Sequence, residues 1–255
     1  MNKTKPKISL IIPCYGESEN ILTTLNQLEN TSHHFHEILV CHNGLIPIKI
    51  KLKENNQIHL LHTDQKGIGH GYKLGIEAAT GDTLLLTAAD LPFGFTDLES
   101  WNKNDSPLLA IGSKLHPKSI IERSFSRNIS TKILYYLRKF IIPLNLPKDT
   151  QGTIFLETQL AKATVKNIKS LDFFFTTELI VKLVMMGKYF TELPVKLKKS
   201  NHKSSINFAT DPFVFIFKIL EIGISIRRMA NKSGSISLHK KVNKERNIQN
   251  QKYEK

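Results

Sequence analysis

The chain has 255 residues, a formal net charge of +14 and an apolar content of 40%. This length predicts one domain over residues 1–230, followed by a basic, disordered tail over residues 231–255. So much positive charge requires an anionic partner. Nucleic acid is disfavoured, because no predicted helix has a concentrated basic face and no aromatic stacking motif is present. We expect a cytoplasmic protein with its two cysteines, Cys14 and Cys41, reduced and packed in the interior.

Apolar runs alternate with helical patterns along the first part of the chain. In order, they predict a strand over 7–13, a helix over 17–30, strands over 36–42 and 57–62, a helix over 69–79 and a strand over 83–88. Beyond these we expect a strand over 108–112, a helix over 121–140, a turn and strand over 149–157, a helix over 176–186 and an edge strand over 189–197. The pattern indicates an α/β fold with a mixed, mostly parallel sheet flanked by helices.

A last helix is predicted over residues 211–228. Lys218 and Glu221 interrupt its apolar runs, which are therefore too short to span a bilayer. Phe213, Phe217, Leu220 and Ile224 share one face, and Arg227 and Arg228 lie at its end. This pattern favours an amphipathic helix at a membrane surface, while a plain helix packed on the core is the alternative. The basic tail would add attraction to anionic lipid.

A glycine-rich turn and a later carboxylate form the most informative motif. Lys66 precedes glycines at 67, 69 and 71, where a helix begins, and the next strand leads to Asp90. Glycines allow backbone N–H groups to approach an anion, and a helix N-terminus adds a positive dipole end. The pair predicts a site for a phosphate-bearing ligand, although an ordinary strand–turn–helix joint has the same glycine pattern.

The order and spacing of several segments resemble those of known enzymes. The segments are ISLIIPCYGESENI, HEILVCHNG, KGIGHGYKLG, IGSKL, RSFSRN, KDTQGTIFLE, FFFTTEL and GKYFTELPVKL. Over residues 7–228 they resemble the family-2 glycosyltransferases with a GT-A (Rossmann-like) fold, in particular the dolichol-phosphate mannose and dolichol-phosphate glucose synthases. The resemblance implies inverting transfer of a sugar from a nucleotide-diphosphate sugar to a polyprenyl phosphate. It also implies an anionic membrane surface, and a membrane-protein subunit, as partners.

The resemblance assigns residues at two strand ends and in the glycine turn to the donor nucleotide. They are Pro13, Tyr15, Glu17, His42, Asn43, Lys66 and Gly67. Relatives have two aspartates where this chain has His42 and Asn43, so the nucleotide that it binds is left open. Relatives also hold Mg²⁺ or Mn²⁺ with an Asp-x-Asp motif. Here the motif is Ala88-Ala89-Asp90, which leaves Asp90 as the metal ligand and as a catalytic residue.

Further residues are assigned to the acceptor and the chemical step. Arg123 and Arg127, four residues apart, are expected to clamp a phosphate together with Lys114. The resemblance places Asp149 and Gln151 at the sugar end. Glu178 follows a phenylalanine run, where a carboxylate needs a partner, and it is expected to hold sugar hydroxyls or to orient an arginine. Arg127, Asp149 and Glu178 join Asp90 as catalytic candidates.

The nature of the acceptor decides whether a base is needed. A phosphate acceptor needs none, whereas a sugar hydroxyl would need Asp149 or Glu178 as the base. A binding subunit without catalysis also stays open, because His42, Asn43 and Ala88 replace family carboxylates. A nucleotidyltransferase is less favoured, because the pair of metal-binding carboxylates is incomplete.

Overall fold

The computed structural model describes residues 6–14, 18–29, 33–44, 57–122, 125–197 and 211–232. Within these ranges the strands are β1 (Ile8–Cys14), β2 (Glu37–Asn43), β3 (Ile58–Thr63), β4 (Thr83–Leu86), β5 (Leu109–Ser113), β6 (Ile120–Ile121), β7 (Ile154–Glu157), β8 (Thr191–Pro194) and β9 (Lys196–Leu197). The helices are α1 (Ser18–Glu29), α2 (Ile68–Ala78), α3 (Thr96–Lys103), α4 (Phe125–Ile141), α5 (Thr158–Val165), α6 (Phe175–Met185) and α7 (Asp211–Lys232).

The main sheet of the described chain has seven strands in the order β3-β2-β1-β4-β7-β5-β8. All neighbours are parallel except at β7, which runs antiparallel to both β4 and β5. The central strands form because most of their residues are apolar, and β1, β2, β4 and β5 are buried along their whole length. This mixed, mostly parallel sheet confirms the predicted fold class.

Helices cover both faces of the sheet. On one face α1 and α3 pack against β1, β2 and β4, and Trp101 stacks on Phe155 with ring centroids 5.0 Å apart. On the other face α2, α5 and α6 form a second apolar cluster with the same strands. Burial on both faces explains why β1, β2, β4 and β5 have nearly continuous apolar sequences rather than an alternation of apolar and polar residues.

The helices α4 and α7 pack on each other beside α6. Phe174, Val181, Ile219 and Ile226 belong to their shared cluster. A Cβ added at Gly223 would lie 2.7 Å from the Ile141 side chain, so glycine permits the close approach of α7 to α4. One face of α7 therefore packs against α4 and α6. Among the described helices, none combines the length and apolar character that crossing a bilayer requires.

Three details differ from the sequence-based expectations. The helix predicted from residue 121 begins at Phe125, because Ile120 and Ile121 pair as β6 with β9. The strand predicted over 189–197 divides into β8 and β9. Its position at a sheet edge, inferred from Pro194, is confirmed, since β8 is the last strand of the main sheet. The helices α3 and α5 were not predicted.

Candidate active site

The sheet topology brings most of the predicted site residues to one edge. The strands β1, β2, β4 and β5 all end at this edge. The antiparallel β7 starts there, because Ile154 is opposite both Leu86 and Ile111. His42 and Asn43 end β2, Asp90 follows β4, Lys114 follows β5, and Asp149 and Gln151 precede β7. Ligands of open α/β sheets bind beyond the carboxyl ends of the strands, so this edge is the candidate site.

His42 pairs with a second histidine at the end of β2. Its Nδ1 atom lies 3.2 Å from Nδ1 of His62, and the two rings stack at a centroid distance of 5.4 Å. Burial lowers the pKa of His42, and the neighbouring His62 lowers it further. His42 is therefore neutral at pH 7 and cannot supply the negative charge that the aspartate of relatives supplies.

Asn43 is buried without hydrogen bonds. It is 1% exposed, and neither its amide oxygen nor its amide nitrogen has a partner among the described residues. An unpaired buried amide is costly.

Pro13 lies inside β1, opposite Cys41. The predicted strand ended at this proline, yet β1 continues to Cys14. Pairing of β1 with β4 stops at Ile11, so the missing N–H of Pro13 removes no bond to that neighbour. Two other predicted donor residues, Tyr15 and Glu17, lie outside the described residues.

Protein backbone occupies the space beside the glycine turn. Gly67 has a φ of +114°, and a Cβ there would lie 2.3 Å from the carbonyl oxygen of Leu171. The N–H of Gly69 donates to that same oxygen at 3.1 Å. The close approach of Leu171 therefore explains why glycine is required at positions 67 and 69. The N–H of Gly69 is also not free to bind a phosphate. Lys66 is exposed at the head of the turn.

Asp90 is exposed in the turn after β4. Nearby, the Tyr72 hydroxyl donates to the carbonyl of Thr87 at 3.1 Å, and burial together with the charge of Asp90 raises the pKa of Tyr72. No group of three or more His, Cys, Asp or Glu side chains in the described chain could hold a metal. One carboxylate fits a divalent cation that is also held by nucleotide phosphates, since Mg²⁺ commonly keeps several waters and takes one or two carboxylates.

A cleft lies between α4, α6 and α7, next to the turn that enters β7. Its polar end contains Lys114, Arg138, Lys148 and Asp149. Its apolar wall consists of Leu134, Tyr135, Phe174, Phe215 and Ile219. The cleft therefore offers cations at one end and hydrocarbon along its side.

Asp149 is the centre of the polar end. It is 3% exposed, and its Oδ2 atom lies 2.8 Å from Nζ of Lys114 and accepts the backbone N–H of that residue at 3.0 Å. The backbone N–H of Gln151 donates to Oδ1 at 2.9 Å. Burial alone would raise the pKa of Asp149, but Lys114 and these N–H donors outweigh it and hold the pKa below its usual range. Asp149 is thus a stable anion and a weak base.

Arg138, near the end of α4, was missed by the sequence analysis. Its guanidinium is buried and donates to the Thr150 hydroxyl at 2.6 Å and to the carbonyls of Pro147 and Lys148 at 2.6 and 2.9 Å. Burial lowers its pKa against the raising effect of Asp149 and of a second carboxylate, Glu192. The spacing between Arg127 and Arg138 places both residues on one face of α4, and this could have indicated that Arg138 belongs to the site. A basic residue in the last turn of a helix, however, usually interacts with the negative end of the helix dipole.

Glu192 was also missed. Its Oε2 atom accepts the Ser113 hydroxyl at 2.8 Å, and Oε1 accepts the backbone N–H of Lys148 at 3.0 Å. It therefore ties β8 to the two segments that carry Lys114 and Asp149. The segment around Glu192 contributed to the family resemblance, but its sequence gave no indication of this contact.

The structure surrounds Glu178 with hydrogen-bond donors. Its carboxylate accepts the backbone N–H of Lys169 at 3.1 Å and of Ser170 at 2.7 Å, and Lys182 Nζ lies 3.3 Å away. Burial alone would raise the pKa of Glu178, yet these donors hold it below its usual range. Glu178 is absent from the residues lining the cleft, where its neighbour Thr177 accepts a hydrogen bond from the Gln151 amide at 2.8 Å. The predicted contact of Glu178 with sugar hydroxyls has no support in this geometry.

The arginine clamp falls largely outside the described structure. Arg123 lies outside the described residues, and for Arg127 the structure gives only a backbone position in the first turn of α4. Thr131, one turn further along that helix, lines the cleft.

Exposed apolar side chains continue from the cleft along the outside of α4 and α7. They are Ile129, Ile133, Tyr136 and Phe140 on α4, and Phe217, Leu220 and Ile224 on α7. Their positions follow helical spacing, so each helix presents an apolar stripe. Phe140, at 85% exposed, and Phe217, at 69%, are the most accessible.

Comparison with known families identifies the first part of the chain. Residues 9–100 match the model for glycosyl transferase family 2. This part of the chain is therefore similar to the family-2 glycosyltransferases. A curated relative is the glycosyltransferase AglD of Haloferax volcanii, 22% identical over 203 residues that cover 74% of this chain and 32% of the relative. The chain thus spans about a third of the length of that relative.

Solved structures show the same fold. Glucosyl-3-phosphoglycerate synthase from Mycobacterium tuberculosis, in complex with UDP, superposes with a TM-score of 0.55 at 13% identity, covering 86% of this chain and 79% of that chain. The same synthase with Mn²⁺, UDP-glucose and glycerol 3-phosphate gives 0.57 at 12% identity over the same shares. These structures confirm the predicted GT-A fold. The match of residues 9–100 supports the predicted family-2 glycosyltransferase class. Both structures are of a glucosyl-3-phosphoglycerate synthase, not of a dolichol-phosphate sugar synthase.

The family-2 match covers only one half of the site. Residues 9–100 include most of β1, all of β2, the glycine turn and Asp90, which the sequence assigns to the donor. Every residue that lines the cleft lies beyond residue 100. The match therefore supports a nucleotide-sugar donor, and the acceptor has to be inferred from the cleft itself.

Proposed function

We propose that this glycosyltransferase transfers a sugar, with inversion, from a nucleotide-diphosphate sugar to a polyprenyl phosphate at a membrane surface. The observation that carries the proposal is the cleft between α4, α6 and α7, which joins a cationic end to an apolar wall. An acceptor that matches both must combine a phosphate with a hydrocarbon chain.

The cationic end suits a phosphate group. Lys114, Arg138 and Lys148 face two carboxylates, Asp149 and Glu192, which leaves one net positive charge (+3 − 2 = +1). Lys114 and Arg138 already bind protein groups, so Lys148 is the cation best able to meet a ligand. Arg127 and Arg123 are proposed to add the clamp that the sequence indicates.

The apolar wall and the exposed stripes suit an isoprenoid chain and a lipid surface. Phe174 and Phe215 meet edge to face on the wall, with ring centroids 5.3 Å apart. The stripes of α4 and α7, with Phe140 and Phe217 most exposed, would insert into the interfacial layer. Arg227, Arg228 and the basic tail would add attraction to anionic lipid.

The carboxylates near the site favour an acceptor that is already ionised. Asp149 and Glu178 both have a lowered pKa and accept several hydrogen bonds, so neither is a good proton acceptor. A phosphate oxygen attacks without a base, and catalysis then depends on positioning and on stabilising the leaving diphosphate. A divalent cation bound beside Asp90 would supply positive charge at that diphosphate. Lys66 would add to it.

A phosphorylated small acid is a second candidate acceptor. The observation that favours it is the similar fold of glucosyl-3-phosphoglycerate synthase, whose structures include one in complex with phosphoglyceric acid. The same cationic end would hold its phosphate, and the apolar wall would then have no ligand to contact.

Direct transfer assays test the proposal. The full chain is incubated with Mg²⁺ or Mn²⁺, a panel of labelled nucleotide-sugars, and either a polyprenyl phosphate in vesicles or phosphoglyceric acid. We expect labelled lipid and no labelled phosphoglycerate. Labelled phosphoglycerate would support the second candidate. Saturable nucleotide binding without turnover on any acceptor would instead support a binding subunit.

Vesicle flotation tests the membrane surface. Phe140→Ser combined with Phe217→Ser should weaken binding to anionic vesicles at every salt concentration, because insertion of apolar side chains is not screened. Removal of residues 231–255 should weaken it at low salt only. Leu108→Ser is the matched control, since Leu108 is 68% exposed but precedes β5 at the opposite edge of the sheet. Equal loss in this control, or no binding by the intact chain at low salt, would contradict the proposal.

A further inference from the structure

Residues 169–174, here termed the bridge segment, join α5 to α6 and contact both halves of the site. At the start of the segment, the N–H groups of Lys169 and Ser170 donate to the carboxylate of Glu178. Glu178 lies in the first turn of α6 and is 6% exposed. The segment is thus tied by charge-assisted hydrogen bonds to the helix that follows it.

The middle of the bridge segment supports the donor side. The carbonyl oxygen of Leu171 accepts the N–H of Gly69 at 3.1 Å. A Cβ at Gly67 or Gly69 would lie within 2.5 Å of Leu171 backbone atoms. Leu171 therefore sets the position of the glycine turn, and with it the place from which Lys66 reaches towards the donor.

The end of the bridge segment shapes the cleft. Asp172 Oδ2 forms an ion pair with Lys218 of α7, and its Oδ1 caps the N–H of Phe174 at 2.9 Å. Phe174 lines the cleft and packs against Phe215 of α7. Displacement of this end would therefore change the apolar wall as well as the contact with α7.

We propose that Glu178 is a positioning residue that fixes the bridge segment and thereby aligns the donor turn with the acceptor cleft. The inference rests on the proposed function for the identity of the two ligands. Glu178 touches neither of them. Its carboxylate acts through Leu171 on Lys66 and through Phe174 on the cleft wall.

Glu178→Gln separates this role from others, because it keeps the size of the side chain and removes its charge. The Gln amide turns one donor towards the backbone N–H groups that Glu178 accepts, so the bridge segment loosens. We expect the Kd for a nucleoside diphosphate with Mg²⁺ to rise about tenfold, which is the effect of losing about one charge-assisted hydrogen bond. The acceptor KM should rise as well. The shape of the pH–rate profile should stay unchanged, because no proton-transfer group is lost.

Two further variants act as controls. Lys182→Ala removes the ion-pair partner of Glu178 but leaves both backbone N–H bonds, so nucleotide affinity should stay within about twofold of wild type. Asp172→Asn loosens the other end of the bridge segment from a partly exposed position. It should raise the acceptor KM more than the nucleotide Kd, and it keeps the inference testable if Glu178→Gln folds poorly.

A rise in both the nucleotide Kd and the acceptor KM of the Glu178→Gln protein would support the inference. A Glu178→Gln protein with a lower unfolding temperature but unchanged nucleotide Kd and acceptor KM would overturn the inference, because the residue would then serve stability alone. A fall in kcat of about a hundredfold or more with an altered pH profile and unchanged Kd would overturn it in favour of a general base. Nucleotide Kd is measured without acceptor. Failure of lipid transfer by the wild type would therefore count against the proposed function and leave this measurement intact.

Discussion

Replacing Arg138 with methionine tests whether the buried guanidinium holds the acceptor side together. The substitution keeps an unbranched side chain of similar length and removes donors to Thr150, Pro147 and Lys148 at 2.6, 2.6 and 2.9 Å. Hydrogen bonds to a charged donor contribute about 1.5 kcal/mol or more each. Because water can reach the exposed Lys148, we expect a net loss of about 3 kcal/mol in the free energy of unfolding.

This loss corresponds to a fall of about 6–12 °C in the unfolding temperature for a chain of this size. Scanning calorimetry and urea titration measure it. Thr150→Val removes one of the three contacts of Arg138 and also the hydrogen bond between the Thr150 and Thr177 hydroxyls, so it should cost about 2 kcal/mol. Arg138→Lys keeps the charge but loses the planar fork, and it should fall between the two. A shift below about 2 °C for Arg138→Met would refute the reasoning, because the guanidinium would then have gained little from its partners.

Three other substitutions test separate parts of the structure. Gly69→Ala should destabilise the fold by about 1–3 kcal/mol in urea titrations, because its Cβ would meet the Leu171 backbone at 2.5 Å; unchanged stability with lost nucleotide binding would indicate a phosphate cradle instead. Burial alone would raise the pKa of Glu37, but donors from Ser9, Thr80 and Gly81 hold it below the ordinary 4.5. Its stabilisation is therefore complete above that value and disappears as pH falls through the folded pKa, so Glu37→Gln should flatten the acid side of the stability curve. Asp90→Asn should abolish metal-dependent transfer with an unchanged unfolding temperature, because the residue is exposed; normal turnover would remove Asp90 from the site.

The sequence predicted the central strands well because burial on both faces leaves nearly uninterrupted apolar runs in β1, β2, β4 and β5. The family resemblance assigned His42, Asp90 and Lys114 to one site, and the structure places them at or just after the carboxyl ends of β2, β4 and β5. Both results depend on local patterns and on the general rule for open sheets.

Contacts between distant parts of the chain explain what the sequence did not predict. The glycines at 67 and 69 fit a phosphate turn, but the oxygen that occupies their space belongs to Leu171. Glu178 looked like a site carboxylate because it follows a phenylalanine run, yet its partners are backbone N–H groups of Lys169 and Ser170. Ile121 was assigned to a helix because its pairing with β9 joins residues far apart in sequence. None of these contacts has a local signature.

The antiparallel insertion of β7 has a consequence for synthesis and folding. The strands β3, β2, β1 and β4 are all made before residue 87, whereas β7 begins at Ile154. Until β7 emerges from the ribosome, β4, which is wholly buried in the folded protein, has an open edge, and open apolar edges promote association between chains. The segment matched by the family model, residues 9–100, ends before that edge is covered. A fragment cut at this boundary should therefore aggregate, and it should become soluble only when the chain extends past Glu157.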